Sequence, residues 1–144
     1  MAAWTAFLQA HAAVIHTLER ELRAEADLPL TWYDVLVHLH RAPERRLRMS
    51  DLAQAVVLSR SGITRLIDQM ERAGLVERVS CPSDRRGLFA ALTDAGGETL
   101  RRAAPIHLRG VAEHFTELLD EEDAATLAQV LGRVRDASRG AVTA

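Results

Sequence analysis

Apolar positions recur at helical spacing along most of the chain, and the breaks in that rhythm divide it into elements. From Trp4 to about Ala26, Phe7, Val14, Ile15, Leu18 and Leu22 alternate with Glu19, Arg20, Glu21 and Arg23, which predicts one long amphipathic helix. Asp27-Leu28-Pro29-Leu30 interrupts it. Thr31 is then the expected cap of a second helix whose Trp32, Val35, Leu36 and Leu39 share a face, and Ala42-Pro43 ends that helix. Ser50 is the expected cap of a short third helix with Leu52, Ala53 and Val56. Ser59 caps a fourth, which runs to about Ala73 and stops at Gly74. Two strand-like runs follow, Leu75–Ser80 and Leu88–Leu92, joined by a turn-rich loop over Cys81–Gly87. Thr93 opens a helix with Leu100, Leu108, Val111, Ala112, Phe115, Leu118 and Leu119, reaching about residue 119 and kinked at Pro105. Asp120 starts a last helix carrying Leu127, Val130, Leu131 and Val134.

The fold class this predicts is mainly α with a small β wing. All 144 residues form one domain, in which 31–93 make a winged helix-turn-helix lobe and 1–30 and 94–144 supply dimerisation helices. The dimer is expected because one small core cannot bury the apolar stripes of three terminal helices. In the fourth helix Ile63, Leu66, Ile67 and Met70 form the buried stripe, and Arg60, Ser61, Thr64, Arg65 and Asp68 fall on the other side. A plain amphipathic helix with a solvated face has the same pattern, and a charged turn such as Asp84-Arg85-Arg86 is common on any surface. It is the order of short helix, tight link, second helix and basic hairpin that points to nucleic acid.

Net charge is only −2, but its distribution is uneven. Residues 41–86 carry ten arginines against six acids, whereas the remaining residues carry eight against fourteen. A basic centre between acidic ends suits local phosphate binding, which depends on nearby charge more than on the total. All eighteen basic residues are arginine, whose planar fork matches phosphate and guanine. The single cysteine, Cys81, excludes an internal disulfide and a cysteine-rich zinc site. No stretch approaches the roughly 18 apolar residues of a membrane span, and the first residues lack the basic start of a signal peptide. A cytoplasmic location with no membrane association is therefore expected.

The segment from Ser50 to Gly96 resembles the core of the MarR family of multiple antibiotic resistance regulators. The likeness lies in Leu52-Ala53, the Leu58-Ser59 helix start, Arg65-Leu66, the Gly74-Leu75-Val76 exit, Asp84-x-Arg86, and Leu92-Thr93 before Ala95-Gly96. The flanking helices agree in number, length and order. The resemblance implies a DNA-binding transcriptional regulator, expected to be a ligand-responsive repressor that binds a palindromic operator in double-stranded DNA as a homodimer. The two recognition helices would enter successive major grooves, and the wings the flanking minor grooves. Carried onto this chain, the DNA-binding roles fall on Ser59, Arg60, Ser61, Thr64 and Arg65 in the helix, and on Asp84, Arg85 and Arg86 in the wing, with Asp84 orienting Arg86.

The resemblance also implies a small aromatic or phenolic ligand between the dimerisation helices and the DNA-binding lobe. Tyr33, His38 and His40 on the second helix, with His11 and His16 on the first, are the candidate ligand-binding residues; Trp32 shares the apolar face and is assigned to the core. Arg20 and Arg23 are near in sequence to meet a weak acid. No cofactor and no metal site are expected, because His38, His40, Glu44, His107, Glu113 and His114 are scattered. Cys81 lies at the base of the wing, which argues against redox sensing through a cysteine in the first helix. An enzyme is disfavoured: there is no phosphate-cradling glycine loop, no G-x-S-x-G and no H-E-x-x-H, and a trio such as Ser59, His38 and Asp84 arises by chance in any chain of this length. A winged helix that binds protein rather than DNA is the other reading the sequence leaves open.

Overall fold

The computed structural model describes residues 1–56, 58–81 and 84–142, without the side chains of residues 81, 84–86 and 139–142. Among the described residues, six α-helices and three strands follow in the order α1 (Ala2–Ala26), α2 (Leu30–Arg41), β1 (Arg46–Arg48), α3 (Met49–Ala55), α4 (Arg60–Arg72), β2 (Val76–Cys81), β3 (Asp84–Leu92), α5 (Asp94–His114) and α6 (Glu121–Val142). The sheet is antiparallel in the order β1-β3-β2, with Arg48 opposite Phe89 and Arg78 opposite Ala90. The fold is mainly α with a small β wing, as the pattern predicts.

One core joins these layers. Leu22 of α1, Val35, Leu36 and Leu39 of α2, Leu52 of α3, Ile67 and Met70 of α4 and Ala90 of β3 are fully buried. The i, i+4, i+7 stripe Ile63, Ile67, Met70 is what seats α4 on that core, with Leu66 half-buried beside it. Truncating Ile67 to Ala would cost about 2–5 kcal/mol, because neighbours on all sides hold the cavity open. Trp32 packs on the core half-buried.

Several boundaries differ from the sequence pattern, each for a local reason. Thr31 does not cap α2: the helix begins at Leu30 with Pro29 in the cap position. The Leu30 N–H, one of the first-turn donors with no partner inside the helix, donates to Glu19 Oε2 of α1 at 2.6 Å. Ser50 does not cap α3 either, since the chain passes from β1 straight into the helix at Met49 and leaves Ser50 inside the first turn. β1 itself is invisible in the pattern, because three residues with one apolar member become a strand only by pairing with β3. The hairpin strands reach Cys81 and Asp84, so the expected seven-residue loop is much shorter. α5 runs through Pro105 without interruption but ends at His114, where Phe115 leaves helical geometry and residues 116–118 form a 3-10 turn. Asp120 opens α6 as expected, its Oδ1 accepting from Asp123 N–H at 2.8 Å.

α1 and α5 pack along a seam that depends on Gly110, where a Cβ would lie 2.7 Å from both Glu21 Oε2 and Leu18 Cδ2. Beside it His114 Nε2 is 2.7 Å from Glu21 Oε1, and Arg109 binds Glu25 at 2.5 Å. α6 makes only slight contact with any other element, and its Val130 and Val134 are exposed.

Candidate nucleic-acid interface

The N-terminal half of α4 is a presented polar surface. Ser59 caps it, Oγ accepting from Gly62 N–H at 3.1 Å and lying 3.2 Å from Ser61 Oγ. Thr64 donates its hydroxyl back to the Arg60 carbonyl at 2.9 Å, which fixes that side chain and leaves its outer edge to solvent. Ser59, Arg60, Ser61, Thr64 and Arg65 are all exposed, and neither Arg60 nor Arg65 pairs with any described residue. The free N–H groups and positive dipole end of the first turn add to this cationic surface. The five residues predicted from the sequence thus stand together on one accessible face.

The other polar flank of α4 is occupied by Arg78 of β2. Its Nη1 binds Glu71 Oε2 at 2.5 Å, its Nη2 binds Asp68 Oδ1 at 2.6 Å and reaches the Thr64 carbonyl at 3.4 Å, and its backbone N–H donates to Glu71 Oε1 at 3.0 Å. Partial burial works against the charge. The hydrogen bonds and opposite charges of Asp68 and Glu71 outweigh it and hold the guanidinium above its ordinary pKa. Thr93 makes a second tie, donating its hydroxyl to the Gly74 carbonyl at 2.7 Å while accepting from Gly96 N–H at 3.0 Å to cap α5.

In the wing, Asp84 is the first residue of β3 and pairs with Cys81 across an irregularity after Ser80. Arg85 and Arg86 follow in the same strand. The side chains of Cys81, Asp84, Arg85 and Arg86 lie outside the described residues, and so do the expected pairing of Asp84 with Arg86 and the state of Cys81. On the outer face of the sheet, Arg46 and Arg48 bracket the Phe89 ring, their guanidinium carbons 5.6 and 5.2 Å from its centroid, and Arg46 also pairs with Glu44. Sequence reasoning missed this cluster; the alternation Arg46-Leu47-Arg48 was its only signal.

Residues 26–87 match the family model described as the MarR family. The crystal structure of AbsC, a MarR family transcriptional regulator from Streptomyces coelicolor, superposes with a TM-score of 0.92 at 42% identity, over 96% of this chain and 93% of that one. The chain belongs to the MarR family. A second family member from the same organism, Sco3205, crystallised in complex with DNA, gives a TM-score of 0.90 at 36% identity over 94% of this chain and 86% of that one. A curated relative from Bacillus subtilis, the uncharacterized HTH-type transcriptional regulator YkoM, is 34% identical over 84 residues, which are 58% of this chain and about half, 53%, of that protein. This MarR-family protein is a transcriptional regulator and not an enzyme; the Oγ of Ser59 serves as the helix cap.

The candidate ligand residues of this MarR-family chain do not converge. His11 and His16 line a groove of about 500 Å³ between α1 and α2, together with Ile15, Glu19, Leu30 and Asp34. Tyr33 does not line that groove: it is buried against His107 of α5, and burial raises its pKa, with Asp34 adding to the effect. His38 is half-buried and His40 exposed near the end of α2, and neither lines the groove. Arg23 pairs with Glu19, and neither Arg20 nor Arg23 lines the groove. Among the described residues no three His, Cys, Asp or Glu side chains are grouped to hold a metal, and no helix is long and apolar enough to cross a membrane.

Proposed function

We propose that this chain acts as a cytoplasmic homodimeric repressor that holds a palindromic operator through α4 and the β2–β3 wing, and releases it when a small aromatic or phenolic ligand binds. The observation that carries the reading is the exposed row Arg60, Ser61, Thr64 and Arg65 at the capped start of α4, a surface with the width and chemistry of a major-groove reader. The DNA complex of the 36% identical Sco3205 supports it. Support for the dimer comes from apolar side chains that the monomer leaves uncovered: Trp4, Phe7 and Leu8 on α1, Leu108 near the end of α5, and Val130 and Val134 on α6. A second copy is the natural cover, and two-fold symmetry then implies paired half-sites. In this reading α1, α5 and α6 form the dimerisation lobe, and the groove between α1 and α2 is where a ligand would wedge.

The test is a titration of labelled duplex, selected from a random pool, at several salt concentrations. Arg86→Ala should weaken binding to many sequences alike and lower the salt slope, because it removes a phosphate-neutralising charge. Arg65→Ala should in addition relax preference at one position, at a cost of about 1–3 kcal/mol. Unchanged affinity in both would rule out this face. Phenolic acids screened by thermal shift, then by release of bound duplex, test the ligand; no response to any of them would mark a constitutive regulator.

A further inference from the structure

Among the described residues, Arg78 is the one arginine whose guanidinium and backbone N–H both grip α4, the helix that carries the exposed row Arg60–Arg65. Its three partners, Thr64, Asp68 and Glu71, lie on successive turns of α4. β2 is an edge strand of the sheet, so the Arg78 N–H that points away from β3 would otherwise be unpaired, and Glu71 fills that edge. The same contacts have an electrostatic consequence. Asp68 and Glu71 are two negative charges on the helix that must approach a polyanion, and Thr64, four residues before Asp68, belongs to the exposed row. The Debye length at physiological salt is about 8 Å, so a carboxylate that comes nearer than this to a phosphate repels it unless it is neutralised locally. Arg78 has its fork shared between the two carboxylates and is only 21% exposed, which leaves little of it to reach a phosphate.

We infer that Arg78 is a positioning residue for DNA recognition: it docks α4 on the wing sheet and cancels the charges of Asp68 and Glu71, so that the row Arg60–Arg65 meets DNA unopposed. This rests on the DNA-binding reading above. It differs from a phosphate contact in a measurable way. Removing a phosphate contact loses an attraction that neutralising Asp68 and Glu71 does not give back, whereas removing Arg78 uncovers a repulsion that their neutralisation abolishes.

The experiment compares the full-length wild type, Arg78→Ala, and Arg78→Ala combined with Asp68→Asn and Glu71→Gln, on the same selected duplex across a salt series, with circular dichroism as the check on folding. The expected result is binding about tenfold weaker for Arg78→Ala at low salt, a deficit that narrows as salt screens the uncovered carboxylates, and recovery of most of that loss in the triple variant. A merely structural arginine predicts the opposite for the triple variant, which lacks the whole clamp and should bind no better than Arg78→Ala. Should Arg78→Ala not fold, Arg78→Gln, which keeps donors for the helix but no charge, takes its place in both comparisons. Wild-type affinity in the folded single variant, a deficit that does not narrow as salt rises, or a triple variant that stays weak would each overturn the inference. A wild type that binds no duplex at low salt would overturn the DNA-binding reading with it, whereas a binding wild type with an indifferent Arg78 would overturn this inference alone.

Discussion

The His107 ring of α5 lies against the Tyr33 ring of α2, centroids 4.3 Å apart and planes inclined by 35°. This contact links the helix that begins at the wing to the helix that carries much of the core. His107 Nδ1 is buried there with no hydrogen-bond partner among the described residues, and burial pushes the imidazole below its ordinary pKa. The unfolded chain therefore takes up a proton at higher pH than the folded one. The stability this residue contributes is complete above the ordinary histidine value of about 6.5, and is lost as pH falls through the lower folded value. His107→Phe keeps a ring in the stack and removes the proton site. Urea unfolding between about pH 7 and pH 5 should show a shallower loss of stability for the variant than for the wild type.

Gly96 sits in the first turn of α5, where an added Cβ would overlap the Leu75 carbonyl and come 2.7 Å from Leu92 Cδ1. A backbone carbonyl in the chain leaving α4 cannot step aside as a flexible side chain can. Gly96→Ala should lower stability by about 1–3 kcal/mol despite the better helix propensity of alanine. Thermal unfolding measures this, and an unchanged or raised midpoint would contradict the packing described.

Ser59→Ala removes the acceptor for Gly62 N–H at the start of α4. A loss of about 1 kcal/mol is expected from the cap alone. If α4 meets DNA as proposed, duplex affinity should fall as well, since the first turn bearing Arg60 and Ser61 frays. Chemical denaturation and duplex binding on the same preparation separate the two effects.

Phe115→Asp places a charge where α5 ends, on a side chain that is 39% exposed in the monomer. If the second copy covers this region, light scattering should find monomer or aggregate for the variant and dimer for the wild type at micromolar concentration. A monomeric wild type would exclude the dimer.

What could be read from the sequence was governed by the range of the interactions involved. The stripe Ile63, Ile67, Met70, the cap at Ser59 and the cap at Thr93 are local, and each appears in the structure where the spacing puts it. Thr31 and Ser50 were misread because the Leu30 N–H finds Glu19, eleven residues away, and because β1 delivers the chain directly into α3. β1, the Arg46–Phe89–Arg48 stack and the Arg78 clamp depend on strand register and on side chains meeting across 7 to 43 residues, which no periodicity encodes. That Arg60, Ser61, Thr64 and Arg65 share one exposed face was legible because it is one side of a single helix. The ligand candidates were not, since His11 and His16 face a groove while Tyr33 turns to His107, a partner 74 residues on.

Thr93 gives the molecule a mechanical joint. One hydroxyl donates to the Gly74 carbonyl just past α4 and accepts from the Gly96 amide in the first turn of α5, while the Thr93 N–H binds the Leu75 carbonyl at 3.2 Å. With Gly96 pressed against that same carbonyl, no slack is left between the two helices at this point. A twist applied at the far end of α5, 21 residues long, would then be expected to reach the base of α4 as torque rather than be absorbed in a flexible connection. The amides of Leu75, Thr93 and Gly96 should therefore exchange with deuterium as one slow cluster, and they should speed up together when Thr93 is replaced by Val, which keeps the shape and removes both bonds.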